Sequence, residues 1–199
     1  MSWRPDGEDE RDGLEEACPG CGGIFHALSG PSHRYVESSP GCWAVFGEVL
    51  AREYSDPGYW VAHPTTVDCY AVQHPGKASP QAIGSVSLHL MRLCAMLERG
   101  LPPDAAPKVM GLLAKKKRAF RWLELPVDLG PITVLDVRAT VSAEEHRAAV
   151  KGWAQSLWNA WSKHHFQIRS WLDEYALDPF GGCLSPSDRE LQQSAYKLW

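Results

Sequence analysis

The chain has no long hydrophobic run, since no window of it approaches the 18 or so apolar residues that a membrane-crossing helix requires. It has no excess of charge of one sign. Its 20 Lys and Arg stand against 24 Asp and Glu, a formal net charge of -4, which provides no general attraction to polyanions. Nucleic-acid binding would therefore depend on a local basic patch. No export leader is visible in residues 1–16, which are acidic instead of basic and apolar, so a cytoplasmic protein with no membrane partner is expected. No internal repeat is found, which argues against a solenoid.

What is present is unevenly placed. The 199 residues include six cysteines, and without an export signal clustered cysteines point to metal binding before disulfides. Nine tryptophans are the unusual feature of the composition. Four of them, Trp153, Trp158, Trp161 and Trp171, fall in one stretch and imply a large aromatic core or pocket wall.

Residues 1–16 carry almost nothing to bury and are expected to be a disordered tail. Residues 17–199 then form a single helical domain that includes a zinc-binding segment over 17–45. The fold class expected is mainly α, a helical bundle with a small loop-rich N-terminal segment. Helical spacing of Val45, Phe46, Val49 and Leu50 predicts a first helix over Cys42 to Tyr54. A short helix over Thr66 to Gln73 stops before Pro75, because a residue preceding proline is driven out of the helical region. Ser79 and Pro80 form a cap and first-turn pair for a helix through Glu98 that Gly100 closes. A further helix is expected over Asp104 to Phe120. Leu125 to Val137 is broken by Pro and Gly and is β-branched, which suggests an extended crossing or one short strand. A capping box at Ser142 to Glu145 opens the longest helix, Ala143 to Tyr175, about 50 Å if unbroken. The tail after Pro179 has room for one more short helix.

The sharpest chemical signal is Cys18-Pro-Gly-Cys21, followed by His33 after eleven residues and Cys42 after eight more. A C-x-x-C turn lets two sulfurs converge on one tetrahedral ion, and the Pro-Gly pair permits the tight backbone. Cys42, at a helix start, gains from the positive end of the dipole as a thiolate. Four protein ligands close the site and make a structural zinc the expected cofactor. The alternative is a redox dithiol of Cys18 and Cys21, with His33 on the surface and Cys42 buried. Cys69 and His26 are substitutes within the ligand set.

A second constellation comprises Asp68, His74, His89, His164 and His165, on three segments expected to pack together. At about 100° per residue, His164 shares its side of an unbroken long helix with Trp153, Leu157 and Trp171, and so is expected to point into the core. His165 lies on the same broad apolar face with Trp158. Three imidazoles and a carboxylate can form an open site for a second divalent metal, or a metal-free acid–base site. The bland reading makes these core histidines with satisfied hydrogen bonds. His146 is about 27 Å along the helix from His164 and belongs to its first turn. Lys115 to Arg118 is a basic run whose bland reading is a solvated helix face.

These motifs resemble an uncharacterised bacterial family, a domain of unknown function. Its members share CPGCG, GCW, VDxYAxQHPG, HLxxLC and WxAWxxHH, here Cys18–Gly22, Gly41–Trp43, Val67–Gly76, His89–Cys94 and Trp158–His165. The resemblance covers about Cys18 to Leu172. A weaker one is to the DinB-like four-helix metalloenzymes, which His89 and His164 to Gln167 (HHFQ) carry. Trp161 stands where that family would place a ligand four residues before His165. That resemblance implies thiol-dependent transfer or isomerisation, with a metal activating a small thiol. Together the readings lead to a zinc-binding helical protein acting as a metal-dependent transferase or hydrolase on a small molecule. The alternative is a non-enzymatic ligand-binding or protein-interaction module with a purely structural zinc.

Overall fold

The computed structural model describes residues 14–102, 105 and 120–175. Residues 1–13, the helix expected over Asp104 to Phe120 apart from Ala105 and Phe120, its basic run Lys115 to Arg118, and the tail with Cys183 lie outside the described residues.

The chain opens with an antiparallel hairpin, β1 (Glu15–Ala17) and β2 (Ile24–His26), in which Glu16 pairs with Phe25. The fold thus begins before Ala17, inside the segment expected to be disordered. Phe25 is buried, and its burial together with the Cys18–Cys21 turn gives these otherwise polar strands a reason to pair.

Helix α1 (Pro40–Ser55) starts two residues ahead of the sequence expectation, because Ser39 accepts from Cys42 N at 3.2 Å and Pro40 occupies the first turn. Its buried face is Cys42, Phe46, Val49 and Glu53. Asp56 ends α1 and caps α2 (Pro57–Trp60). Helix α3 (His63–Gln73) is buried at most positions after Pro64 and packs on both α4 (Pro80–Arg99) and α6 (Ala143–Ala160). Ser79 caps α4, and Gly100, with φ of 66°, turns the chain so that Leu101 N reaches Ala95 O at 2.9 Å. The apolar stripe of α4 is in the core, with Val86, Leu90, Leu93 and Cys94 buried.

Two elements differ from the sequence expectation. Part of the segment expected to be extended or a strand is a short helix, α5 (Val134–Arg138), because Thr133 and Asp136 form a reciprocal capping box. The long helix is two helices: α6 ends at Ala160, a 3₁₀ turn covers Ser162–His164, and α7 runs over His165–Tyr175. The His165 imidazole makes the break tenable. Its Nε2 donates to Trp158 O at 2.7 Å, satisfying a carbonyl near the end of α6, and its ring stacks on the Trp158 indole at 3.8 Å.

The core is aromatic, as the tryptophan cluster implied. Trp153, Trp158, Trp161 and Trp171 are all buried. The indole N–H groups of the first three donate to Gln73 Oε1, Glu98 Oε1 and Val72 O, so these large rings are buried without an orphaned donor.

Candidate metal centre

The hairpin tip places Cys18 and Cys21 side by side. Cys18 N donates to Gly23 O and Gly22 N to Cys18 O, each at 2.8 Å, which folds the CPGC turn into a knuckle. Gly20 is required there, since a Cβ would collide with the His74 ring and the Glu37 carbonyl. Cys42 enters from the first turn of α1, and its sulfur lies 3.9 Å from Cys21 Sγ. His74 enters from the end of α3, where Pro75 and left-handed Gly76 (φ 69°) turn the chain away under Tyr35. Its Nε2 is 3.4 Å from Cys42 Sγ. The four donor atoms of Cys18, Cys21, Cys42 and His74 all lie within 4.8 Å of one another.

The Cys21–Cys42 and Cys42–His74 spacings are those of ligands on a tetrahedral ion. Bonds of about 2.3 Å to sulfur and 2.0–2.1 Å to nitrogen put ligand sulfurs about 3.8 Å apart, and sulfur and nitrogen about 3.6 Å apart. The surroundings are also arranged for a cation. His74 Nδ1 donates to Tyr70 O at 2.8 Å, which leaves Nε2 with its lone pair toward the sulfurs, the tautomer that ligation requires. Ser39 N donates to Cys18 Sγ at 3.4 Å, and the Tyr70 hydroxyl lies 3.4 Å from Cys42 Sγ.

Without a cation the three thiols compete for one negative charge. Hydrogen bonds from Cys21 and Cys42 hold Cys18 far below the usual thiol range. Cys21 is pushed up to about 11, chiefly by its bond to Cys18, and Cys42 is raised further by Cys18 and Cys21. Three adjacent thiolates are mutually repulsive, and a divalent cation removes that penalty. The donor set therefore fits a metal ion with an affinity for sulfur.

His33, the fourth ligand expected from sequence, is not in this cluster. It packs in the loop before α1, with its ring 4.4 Å from Tyr35 and 5.4 Å from Trp43, and its buried Nδ1 has no hydrogen-bond partner among the described residues. His74 takes the place given to His33 because the end of α3 reaches the sulfurs, a tertiary relationship that spacing along the chain does not reveal. The substitutes stand elsewhere. His26 is exposed on β2, and Cys69 is fully buried, its thiol pushed well above the usual range by desolvation.

The constellation of helical histidines is dispersed. His74 belongs to the sulfur cluster. Asp68 and His89 do meet, Oδ1 to Nδ1 at 2.6 Å, and Arg92 Nε donates to the second carboxylate oxygen at 2.7 Å. His164 does not point into the core: its Nε2 donates to Glu124 O at 2.7 Å, because the 3₁₀ turn after Trp161 breaks the helical phase on which that expectation rested. His165 caps α6 as described. Among the described residues, the sulfur cluster is the one group of three or more His, Cys, Asp or Glu side chains whose ligand atoms converge. The second metal expected at the helical histidines, and the ligand set that the DinB likeness implies, therefore have no assembled site among them.

A buried group that sequence reasoning missed is Glu53. Its Oε1 lies 2.8 Å from His146 Nε2 and accepts from Thr66 Oγ1, and its Oε2 lies 2.9 Å from His63 Nδ1. Burial alone would raise its pKa, but bonds to His146, His63 and Thr66 reverse that and hold it below the ordinary carboxylate value. The signal was a carboxylate at a stripe position of α1, eleven residues after Cys42 and four after Val49.

The fold and site thus define a mainly helical protein with a Cys₃His cluster, able to hold a metal ion, at the junction of a hairpin and two helices. The chain belongs to DUF5946, described as a family of unknown function, whose pattern matches residues 16–162. No curated protein and no solved structure matches the chain significantly. No helix among the described residues is long and apolar enough to cross a membrane.

Proposed function

We propose that Cys18, Cys21, Cys42 and His74 bind zinc, and that the ion is structural. The observation that carries this reading is the convergence of three sulfurs and one imidazole nitrogen within 4.8 Å of one another. Four protein ligands leave no position open for water or substrate, which separates this centre from catalytic zinc sites with three protein ligands. Zinc is favoured over other ions by the soft, S-rich donor set and tetrahedral arrangement. The ion would join three pieces of chain, the hairpin tip, the start of α1 and the end of α3. A three-residue β-ladder is too short to hold itself, so binding energy becomes folding energy for this segment. Cys21, the half-buried ligand, lines a cleft of about 380 Å³, which provides a route for the ion. Thiolate ligation of this kind suits a reducing, cytoplasmic setting.

On this reading the metal-dependent transferase or hydrolase gives way to its alternative, a non-enzymatic ligand-binding or protein-interaction module whose zinc maintains the scaffold. The test is zinc content and thermal unfolding of the protein purified without added metal. One zinc per chain is expected, with removal by a strong chelator lowering the Tm and melting the N-terminal hairpin first. Absence of bound zinc, or a chelated protein with unchanged Tm, overturns the proposal.

A further inference from the structure

Away from the sulfur cluster, Asp68 and His89 join α3 to α4 beside a cavity of about 510 Å³. Asp68 is fully buried and held from two sides. Oδ2 accepts from Arg92 Nε, whose guanidinium also donates to Pro64 O, and Oδ1 accepts from His89 Nδ1. An ionised carboxylate can only accept, so the proton of the neutral imidazole sits on Nδ1 and the lone pair on Nε2. Among the described residues Nε2 has no hydrogen-bond partner. The His89 side chain is 17% exposed and lines the cavity, and with Nδ1 turned into α3 the opposite ring edge is the one left to it.

The remaining walls indicate what would fit. Tyr35, Ile83 and Phe120 provide apolar and aromatic surface, while Gln81 and Ser85, eight and four residues before His89, continue a polar stripe along one face of α4. The volume is that of a small-molecule site with a few convergent polar groups. An Asp68–Arg92 ion pair alone would tie α3 to α4. Using the second carboxylate oxygen to orient an imidazole, with its basic nitrogen at a cavity wall, is the arrangement by which a buried carboxylate prepares a general base.

We propose that the Asp68–His89 dyad is an acid–base site that takes a small, largely apolar molecule by a single weakly acidic hydroxyl, phenolic or enolic in type. In the step assigned to it the O–H bond breaks, its electron pair stays on oxygen, and the proton forms a new N–H bond at His89 Nε2. The resulting imidazolium is stabilised by Asp68, and the oxyanion by the imidazolium. His89 is the base and Asp68 a positioning residue. The site needs no metal and is independent of the zinc reading.

The probe is m-nitrophenol, whose anion is read by its absorbance, at about pH 7.4, where the free phenol is about one-tenth ionised and an ordinary imidazole is mostly neutral. Excess protein is expected to raise the ionised fraction several-fold and saturably, and His89→Gln to abolish the rise while circular dichroism and zinc content stay unchanged. His165→Gln, away from the dyad, is expected to retain it. Long-range ¹H–¹⁵N spectra of the wild type supply a test that needs no variant: His89 is expected as the Nδ1–H tautomer, becoming doubly protonated as the probe binds. No saturable change with wild type, an equal change in His89→Gln, or an Nε2–H tautomer would overturn the proposal. Zinc content on the same samples tells failure of the dyad from failure of the metal centre.

Discussion

His146 Nε2 on α6 lies 2.8 Å from Glu53 Oε1 on α1, 93 positions apart, and neither side chain has exposed surface. Glu53 is ionised in the fold with a lowered pKa, so its contribution to stability is complete above the unfolded carboxylate value and is lost as pH falls through the folded one. Urea unfolding is expected to show stability falling on acidification below about pH 4. Glu53→Gln should cost about 3 kcal/mol at neutral pH, because it leaves the surrounding donors poorly matched. The same variant should flatten the acid slope. An unchanged slope would mean that Glu53 does not carry it.

The two candidate histidine ligands separate cleanly by substitution. His74→Ala is expected to lose zinc or weaken its binding by at least tenfold, whereas His33→Ala should keep one zinc per chain. Metal content of the two purified variants decides the matter. The reverse result would return His33 to the centre.

How far the sequence was legible depends on the range of each contact. Cys18, Cys21 and Cys42 could be read because two lie in one turn and the third stands just ahead of the helical period of Val45, Phe46, Val49 and Leu50. The ends of α4 were legible for the same reason, since Ser79 and Gly100 act within a few residues. His74 was recognised as a functional candidate but grouped with the wrong neighbours, because its approach to Cys42 depends on how α3 packs. The break after Trp161 was hidden by a continuous apolar period. What ends α6 is an imidazole seven residues past the carbonyl it satisfies, a bond with no compositional signature. Glu53 and His146 could each be seen as out of place on an apolar face, but not as partners.

Gly20 is fixed by the closeness of His74 and the Glu37 carbonyl. Gly20→Ala should push the knuckle away from α3, reducing zinc affinity at least tenfold and lowering Tm by several degrees even with saturating zinc. Competition with a metal indicator measures the first effect and calorimetry the second. Wild-type affinity in this variant would show that the knuckle does not rest on His74.

His165→Ala removes both the bond to Trp158 O and the stack on its indole. A loss of about 1–2 kcal/mol is expected, by analogy with a helix cap plus an aromatic contact. Zinc content should not change. Denaturant unfolding measures the cost, and a loss of metal in this variant would place His165 in the centre after all.

The most direct test of the metal centre is X-ray absorption at the zinc edge of the intact protein. Three sulfurs at about 2.3 Å and one nitrogen at 2.0–2.1 Å are expected, with no water in the shell. A shell of two sulfurs with two light atoms, or one with a water ligand, would contradict a closed site of Cys18, Cys21, Cys42 and His74.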